Sequence, residues 1–442
     1  MTTTTQLVSD FIHETDFGDL PQGVRHQARR CFLDLVGVAA AGRATPLSRI
    51  VRSHAAINTA LPSARLFFDG RSTGVAQAAM ANAATIDSLD GHDGHRLTKG
   101  HAGVAVLPAV MAFATPAPDQ STDELLTALV VGYEVALRAG ITLHRIAGDY
   151  HSSGAWNALG VAAVGARALR LDSAATAEAL GIAEYTAPRG PMMRAIAHPT
   201  MVKDSSAWGA QAGAVAAQLA AAGFTGAPAD LLGDGDESQD LGERWLITEQ
   251  YFKPHPVCRW AQPAVEAILS LTRETGIDAA HVEAIDVMTF DPATRLATIQ
   301  PTTTEEAQYS LPFAVAAAAV HGSLEPAVLL EPLSHPDVIR VCERVRLVER
   351  GDLTALFPAQ RWAQVSLRSR DGTPTTSELT EARGDPEHPL TDGELLAKFR
   401  RYTGQVDEVR ARSIARVVMD AEEHDAGELQ NLLCDPLDRA RP

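Results

Sequence analysis

The sequence predicts a mainly α-helical protein, in which a smaller α+β lid domain is inserted into a large all-helical domain. Three observations support this class. Alanine-rich segments with helical spacing of apolar residues fill the first ~260 residues, β-branched residues follow after about residue 275, and helical spacing returns near residue 391. We place the helical domain at residues 1–263, the lid domain at 264–390 and the C-terminal return to the helical domain at 391–442.

The helices of the main domain are predicted from apolar spacing and from residues that begin helices. Ser121 and Glu124 have the spacing of a capping box, and leucines recur at helical positions after them, which predicts a helix over 122–146. Residues 208–222 carry alanine and glycine on all sides, a composition typical of a buried helix. The same reasoning predicts helices at 155–171 and 174–185.

The lid domain is predicted to contain short strands, because β-branched residues alternate partially with polar ones. Residues 370–373, Arg-Asp-Gly-Thr, have the composition of a hairpin turn. A second capping-box pattern, at Thr391 and Glu394, begins the helix that returns to the main domain. The predicted strands span 281–290, 345–349, 362–370 and 376–379.

The composition argues against several classes of function. A formal net charge of −17 over 442 residues disfavours binding to nucleic acid or to anionic membranes, which require a basic surface. The four cysteines are scattered without a CxxC pair, so no zinc knuckle or disulfide framework is expected. The first residues lack signal-peptide regions, and no uncharged apolar run reaches the roughly 18 residues of a membrane span. A cytoplasmic enzyme is therefore expected.

Residues 87–103 form the densest polar segment of the chain, between two alanine-rich helices. They contain three histidines, three aspartates, an arginine and a lysine, with glycines that let a ligand approach the backbone. Histidine transfers protons near neutral pH, and cations in an acidic protein favour an anionic ligand. The segment is therefore a candidate active site, with a solvated loop as the alternative. The candidate residues are Asp90, His92, Arg96, Lys99 and His101.

A metal site is a competing interpretation of the same segment. Its three histidines, with Asp90 or Asp93, could form a cage of nitrogen and oxygen ligands. The spacing H-x2-H-x5-H matches no common zinc pattern, however, and the HExxH motif is absent. Arg96 and Lys99 would also repel a cation. The sequence therefore predicts no metal.

Three later segments carry polar residues at breaks in apolar helical runs. His151 and Ser152 precede a helix, where the serine could cap the helix or help its free amides bind a carboxylate. Lys203 precedes the small-residue helix and could either extend to solvent or act in a site. Lys253 and Arg259 lie in a segment that prolines stiffen. None of these signals is specific alone.

Together these segments resemble the MmgE/PrpD family, which includes 2-methylcitrate dehydratase, cis-aconitate decarboxylase and iminodisuccinate epimerase. Six segments follow the family's order along nearly the whole chain, and the match ends near LLAKFRRYTG. The segments read RRCFLDLVGVAAAG, SLDGHDGHRLTKGHAGVAVLPAVMA, YHSSGAWNALGVAAVGARALRL, MVKDSSAWGAQAGAVAAQLAAAGFTG, YFKPHPVCRWAQPAVEA and YSLPFAVAAAAVHG.

The resemblance implies an all-helical domain with an α+β lid, a site between the two, a homodimer, and catalysis without metal or organic cofactor. It assigns the family's motif aspartate to Asp90 and its motif histidine to His101. It also assigns a site histidine to His151 and the two site lysines to Lys203 and Lys253. The expected catalytic residues are Asp90, Lys99, His101, His151 and Lys203, and the expected substrate-binding residues are His92, Arg96, Ser152, Lys253 and Arg259.

Two departures from the family pattern bear on the reaction. The usual LDFDDT is LDGHDG at 89–94, and the S-x-x-Tyr of many dehydratases and decarboxylases ends in Phe313, which has no hydroxyl to donate. We therefore expect an isomerase that epimerises an iminodisuccinate-like diacid by proton transfer at one carbon. The alternative is a hydro-lyase that dehydrates a 2-methylcitrate-like tricarboxylate. A non-catalytic helical ligand-binding protein is the alternative from another class.

Overall fold

The computed structural model describes residues 4–57, 64–114, 121–233, 236–276, 282–369, 374–420 and 425–437. Within these ranges the protein is mainly helical, as the sequence predicts. In chain order, the first elements are α1 (Thr4–Glu14), α2 (Gln22–Gly42), α3 (Pro46–Ile57), β1 (Ala64–Arg65), β2 (Ser72–Thr73), α4 (Val75–Asp87), α5 (Gly103–Phe113), α6 (Thr122–Ile146), α7 (Gly154–Ala168), α8 (Ser173–Thr186), α9 (Met192–Ala197), α10 (Ser206–Ala221) and α11 (Gln262–Thr275).

The remaining elements build a sheet with short helices around it and then return to helix. They are β3 (Val282–Thr289), α12 (Asp291–Thr294), α13 (Thr304–Gln308), α14 (Leu311–His321), α15 (Pro326–Leu330), α16 (Pro336–Cys342), β4 (Val345–Glu349), α17 (Gly351–Thr354), β5 (Trp362–Ser369), β6 (Pro374–Thr376), β7 (Thr380–Glu381), α18 (Asp392–Tyr402), α19 (Glu408–Met419) and α20 (Ala426–Cys434).

Small residues let the central helices pack closely. Helix α10 packs against α4, α7 and α8, and α6 packs against α7. A Cβ added to Gly160 would lie 2.3 Å from the carbonyl oxygen of Gly132, and one added to Gly213 would lie 2.2 Å from that of Ala158. A larger side chain at these positions would force the helices apart. The alanine and glycine content of the sequence therefore sets the spacing of the helices.

Helix α6 has the bounds that the sequence predicts, but its predicted capping box is not formed. The Ser121 side chain makes no capping hydrogen bond, and the Glu124 carboxylate binds Arg167 through both oxygens, at 2.8 Å each, instead of reaching back to Ser121. By length and composition α6 is the one helix of the described ranges that could cross a membrane. However, 94% of its apolar window is buried inside the protein, so α6 packs as a core helix.

The sheet has the order β4-β3-β5-β6, with β7 also paired to β5. Strand β3 runs parallel to β4 and antiparallel to β5, and α11 packs on β5. The returning strand predicted at 376–379 is wrong in position, because Ser377 divides it into β6 and β7. Its side-chain oxygen accepts a hydrogen bond from Val365 N at 3.0 Å, which interrupts the ladder. The hairpin turn predicted at 370–373 lies outside the described residues.

The C-terminal helices pack back on the N-terminal part of the chain. The capping box that begins α18 is confirmed, with Thr391 and Glu394 bonded in both directions. Helices α18 and α19 pack on α2, and Lys398 of α18 donates to Asp34 and to the carbonyl oxygen of Gly91. The exact domain boundaries stay a prediction.

Candidate active site

Most of the polar segment 87–103 is buried, unlike a solvated loop, and Leu97 is its exposed residue. Asp90 is 4% exposed and His92 is fully buried. The segment joins α4 to α5, and Gly94 exchanges two backbone hydrogen bonds with Tyr251, at 3.1 and 2.8 Å. A Cβ on Gly94 would lie 2.5 Å from the Tyr251 hydroxyl, so this close approach requires glycine. Burial of so many polar groups makes the segment a candidate active site.

A small cavity of about 30 Å³ opens beside this segment. Both halves of the chain contribute to its walls, and this is the usual position of a small-molecule site. Its ionisable lining residues include Asp90, Lys99, His101 and Asp204 from the first half of the chain, and Arg259, Tyr309 and Arg361 from the second half.

His101 is held as a neutral base. Its Nδ1 lies 2.6 Å from the backbone carbonyl oxygen of Asp93, and because a carbonyl oxygen only accepts, Nδ1 must carry the hydrogen. The basic nitrogen is therefore Nε2, which lies 3.9 Å from Asp90 Oδ1. Burial, followed by the positive charge of Lys253, lowers the pKa of His101 well below its ordinary value. His101 is therefore neutral at neutral pH, with the lone pair of Nε2 free.

Asp90 is an anion that Lys253 holds in place. Lys253 Nζ donates to Asp90 Oδ1, and both side chains are buried. Burial alone would raise the pKa of Asp90, but the charges of Lys253 and Lys203 outweigh burial and hold that pKa below its usual range. Asp90 therefore stays ionised beside His101, where it would stabilise the imidazolium that forms when His101 takes up a proton.

Gln308, at the end of α13, connects Lys203 to the polar segment 87–103 through hydrogen bonds. Its Oε1 accepts from Lys203 Nζ at 2.6 Å and from Asp90 N at 2.8 Å, and its Nε2 donates to Ser88 O at 3.0 Å. Lys203 is only 4% exposed, so it does not extend to solvent. Its backbone has a φ of 53°, a conformation that is uncommon outside glycine and that recurs at functional sites.

Asp204 is a protonated acid in the cavity wall. Ser153 N donates to Asp204 Oδ1 at 3.1 Å, and the Ser153 hydroxyl bonds the other oxygen. Burial, followed by the negative charge of Asp87, raises the pKa of Asp204 to about 8. At neutral pH the cavity therefore holds an acid, Asp204, and a base, His101, whose pKa values are displaced in opposite directions, an arrangement typical of acid–base catalysis.

Two models of known protein families together match most of the sequence. Residues 6–241 match the MmgE/PrpD N-terminal domain, and residues 255–423 match the MmgE/PrpD C-terminal domain. The chain belongs to the MmgE/PrpD family. It is therefore an enzyme of the dehydratase or epimerase type that acts on small acids. No curated protein matches the sequence. Dimerisation and a cytoplasmic location stay predictions.

Seven of the ten residues expected from the sequence lie together in this MmgE/PrpD protein. Four of them, Asp90, Lys99, His101 and Arg259, line the cavity. The other three contact residues of the wall: the His92 ring meets that of His101 edge-on at 4.3 Å, Lys253 pairs with Asp90, and Lys203 Nζ lies 4.9 Å from the centre of the Tyr309 ring.

The other three expected residues are engaged elsewhere. Arg96 pairs with Glu387 at 2.7 Å. His151 Nε2 lies 3.2 Å from Asp149 Oδ1, and the Ser152 hydroxyl bonds that of Ser205 at 2.7 Å. None of the three lines the cavity formed by the described residues. Their assigned roles in catalysis or substrate binding therefore stay predictions.

Sequence reasoning missed several residues of the site. Phe313 is buried in α14 away from the cavity wall, but Tyr309, four positions earlier, lines it. The tyrosine directly before Ser310 was a signal that could have identified this hydroxyl. Gln308 and Arg361 had no such signal, because a glutamine that ends a short helix and an arginine that precedes a strand are ordinary surface patterns.

Asp90, His92 and His101 are the group of described residues whose ligand atoms are close enough to hold a metal ion, within 4.8 Å of one another. Two of these residues already have other partners. Lys253 donates to Asp90, and its ammonium group would repel a cation, while His101 Nδ1 donates to a carbonyl oxygen. The arrangement favours proton transfer by these side chains, and the absence of a metal stays a prediction.

Proposed function

We propose that this MmgE/PrpD enzyme epimerises a small iminodisuccinate-like diacid, by removing a proton from the carbon beside a carboxylate and returning one to the opposite face. One observation carries the proposal: a neutral histidine, His101, and a protonated carboxyl group, Asp204, line the same cavity. Epimerisation requires such a pair, because no group leaves and the carbon must both lose and regain a proton.

The cations at the cavity support the removal of a weakly acidic proton. Abstraction beside a carboxylate places further negative charge on a group that is already anionic. Lys203 is suited to stabilise this charge, because its ammonium group has three donors and its hydrogen bond is to the neutral Gln308. Lys253 adds a second buried positive charge, which pairs with Asp90.

The steps conserve protons. His101 Nε2 takes the proton from carbon, and the electron pair moves into the carboxylate to form an enediolate. The new imidazolium keeps its Nδ1 hydrogen bond to the Asp93 carbonyl oxygen and faces the Asp90 anion. Asp204 then donates its proton to the opposite face of the carbon, which inverts the configuration. Transfer of a proton from His101 to Asp204 through solvent resets the enzyme.

Dehydration of a 2-methylcitrate-like tricarboxylate is the second candidate, and one observation favours it. A departing hydroxyl needs a proton donor, which the sequence lacks at Phe313. Tyr309 lines the cavity instead, and burial, followed by the charge of Asp90, raises the pKa of Tyr309 well above its ordinary value. Its hydroxyl therefore keeps its proton and could protonate a leaving group.

Proton exchange in D2O distinguishes the two reactions. We expect NMR to detect one deuterium entering a single stereoisomer of a substituted succinate, mainly in the inverted product, with no unsaturated acid formed. His101→Gln should lower this rate more than about a hundredfold, the usual contribution of a general base. His13→Gln is the matched control, because His13 bonds Thr176, away from the cavity. Rapid conversion of 2-methylcitrate to an unsaturated acid, with succinate stereocentres untouched, would establish the dehydratase instead.

A further inference from the structure

Arg361 is a buried cation without a carboxylate partner among the described residues. It is 2% exposed, lines the cavity, and has no hydrogen-bond partner at Nε or Nη1. Its guanidinium carbon lies 5.7 Å from the centre of the Phe357 ring. A buried guanidinium without an anionic partner is costly, because burial removes hydration and no opposite charge compensates for that loss. A ligand that supplied the anion would remove this cost.

Lys99 is the second cation in this part of the cavity wall. It is half-buried, and its Nζ lies 5.6 Å from the centre of the Tyr150 ring. No ion pair to Lys99 is present in the part of the chain that the structure describes. Burial, followed by the positive charge of Arg361, lowers the pKa of Lys99. Both cations line the same cavity, and an anion bound there would offset the repulsion between like charges.

Other charges of the wall are already balanced. Asp90 pairs with Lys253, and Arg259 pairs with Asp385 while also donating to two backbone carbonyl oxygens. The positive charge left unbalanced in the wall therefore belongs to Lys99 and Arg361. Charge balance thus distinguishes this pair from the acid–base residues around His101.

We propose that Arg361 and Lys99 bind a second carboxylate of the substrate, remote from the carbon that loses its proton, and thereby select dicarboxylates over monocarboxylates. The planar guanidinium can bind a carboxylate through two parallel hydrogen bonds, and the ammonium group adds a third contact. The assignment of the reacting end rests on the proposed function, whereas binding of the remote carboxylate requires no turnover.

Calorimetric titration of the whole protein with succinate and butyrate tests the inference. The two acids have the same number of carbon atoms and differ by one carboxylate group. We expect succinate to bind at least tenfold more tightly than butyrate. Arg361→Met should weaken succinate binding at least tenfold and leave butyrate binding unchanged, and Arg361→Lys should recover part of the loss. Arg295→Met, at an exposed arginine, is the matched control.

Lys99→Met provides a second, half-buried position at which folding is less at risk, and it should also weaken succinate binding more than butyrate binding. Equal affinities of the wild-type protein for the two acids, or wild-type succinate binding by both methionine variants, would overturn the inference. Selective succinate binding through Arg361 without proton exchange in any candidate acid would instead refute the proposed reaction and leave the carboxylate site standing.

Discussion

Replacing Asp204 by asparagine should change how the stability of the protein depends on pH. Burial raises the pKa of Asp204 to about 8, whereas the unfolded chain titrates near the ordinary value of 3.8. Between these values the folded protein holds a proton that the unfolded chain has lost, so the stability falls as the pH rises. Asparagine keeps the size of the side chain and its contact with Ser153, but does not titrate.

The size of the effect follows from the width of this pH window. Each pH unit inside it lowers the free energy of unfolding by about 1.4 kcal/mol. Between about pH 5 and about pH 7, the wild-type protein should therefore lose roughly 3 kcal/mol relative to the Asp204→Asn variant. This is a large fraction of the ~5–15 kcal/mol by which a domain is typically stable.

Urea unfolding, followed by tryptophan fluorescence at both pH values, measures this difference. Asp337→Asn is the control, because that carboxylate is 57% exposed and its replacement should have a similar effect at both pH values. If the wild-type protein and the Asp204→Asn variant differed in unfolding free energy by the same amount at both pH values, Asp204 would be ionised in the folded state. It could then not be the acid that returns the proton.

Two further predictions concern the lysines and metals. Lys203→Met and Lys253→Met should each lower kcat/KM more than about tenfold, because charge-assisted contacts in a water-poor site contribute several kcal/mol. Near-normal kinetics in both variants would exclude a role for these lysines in stabilising the negative charge of the substrate. Only Lys253→Met leaves a buried anion, Asp90, without its cation, so it should also lower the unfolding free energy by ~3–5 kcal/mol in urea. Activity should survive dialysis against EDTA, and a loss restored by one particular divalent ion would contradict this.

The helices could be predicted from the sequence because their signals are local. The spacing of leucines along α6 depends only on the geometry of a helix, and its predicted bounds match the structure. The loop containing Asp90 and His101 could also be identified from the sequence, because a dense polar segment between apolar helices indicates a functional site. Its burial, by contrast, results from Tyr251 and Gln308, which lie far away in the sequence.

The residues that sequence reasoning missed take their roles from tertiary contacts. Gln308 belongs to the site because its side chain forms hydrogen bonds with Lys203, Asp90 and Ser88. No sequence pattern around residue 308 predicts these three contacts. Arg361 matters because, among the described residues, its Nε and Nη1 have no hydrogen-bond partner, which depends on the tertiary surroundings and not on the sequence near it. His151 shows the reverse case, since its position in a motif does not bring it to the cavity wall.

The contact between Lys398 and Gly91 makes the polar segment 87–103 depend on the C-terminal part of the chain. In the sequence, Asp34 lies 364 residues and Gly91 lies 307 residues before the lysine that binds them both. Burial raises the pKa of Asp34 in the complete protein, and the charge and hydrogen bond of Lys398 oppose that rise, so loss of Lys398 would favour the protonated carboxyl group. A chain that ended before α18 would lack the ammonium group that holds both Asp34 and the loop with Gly91.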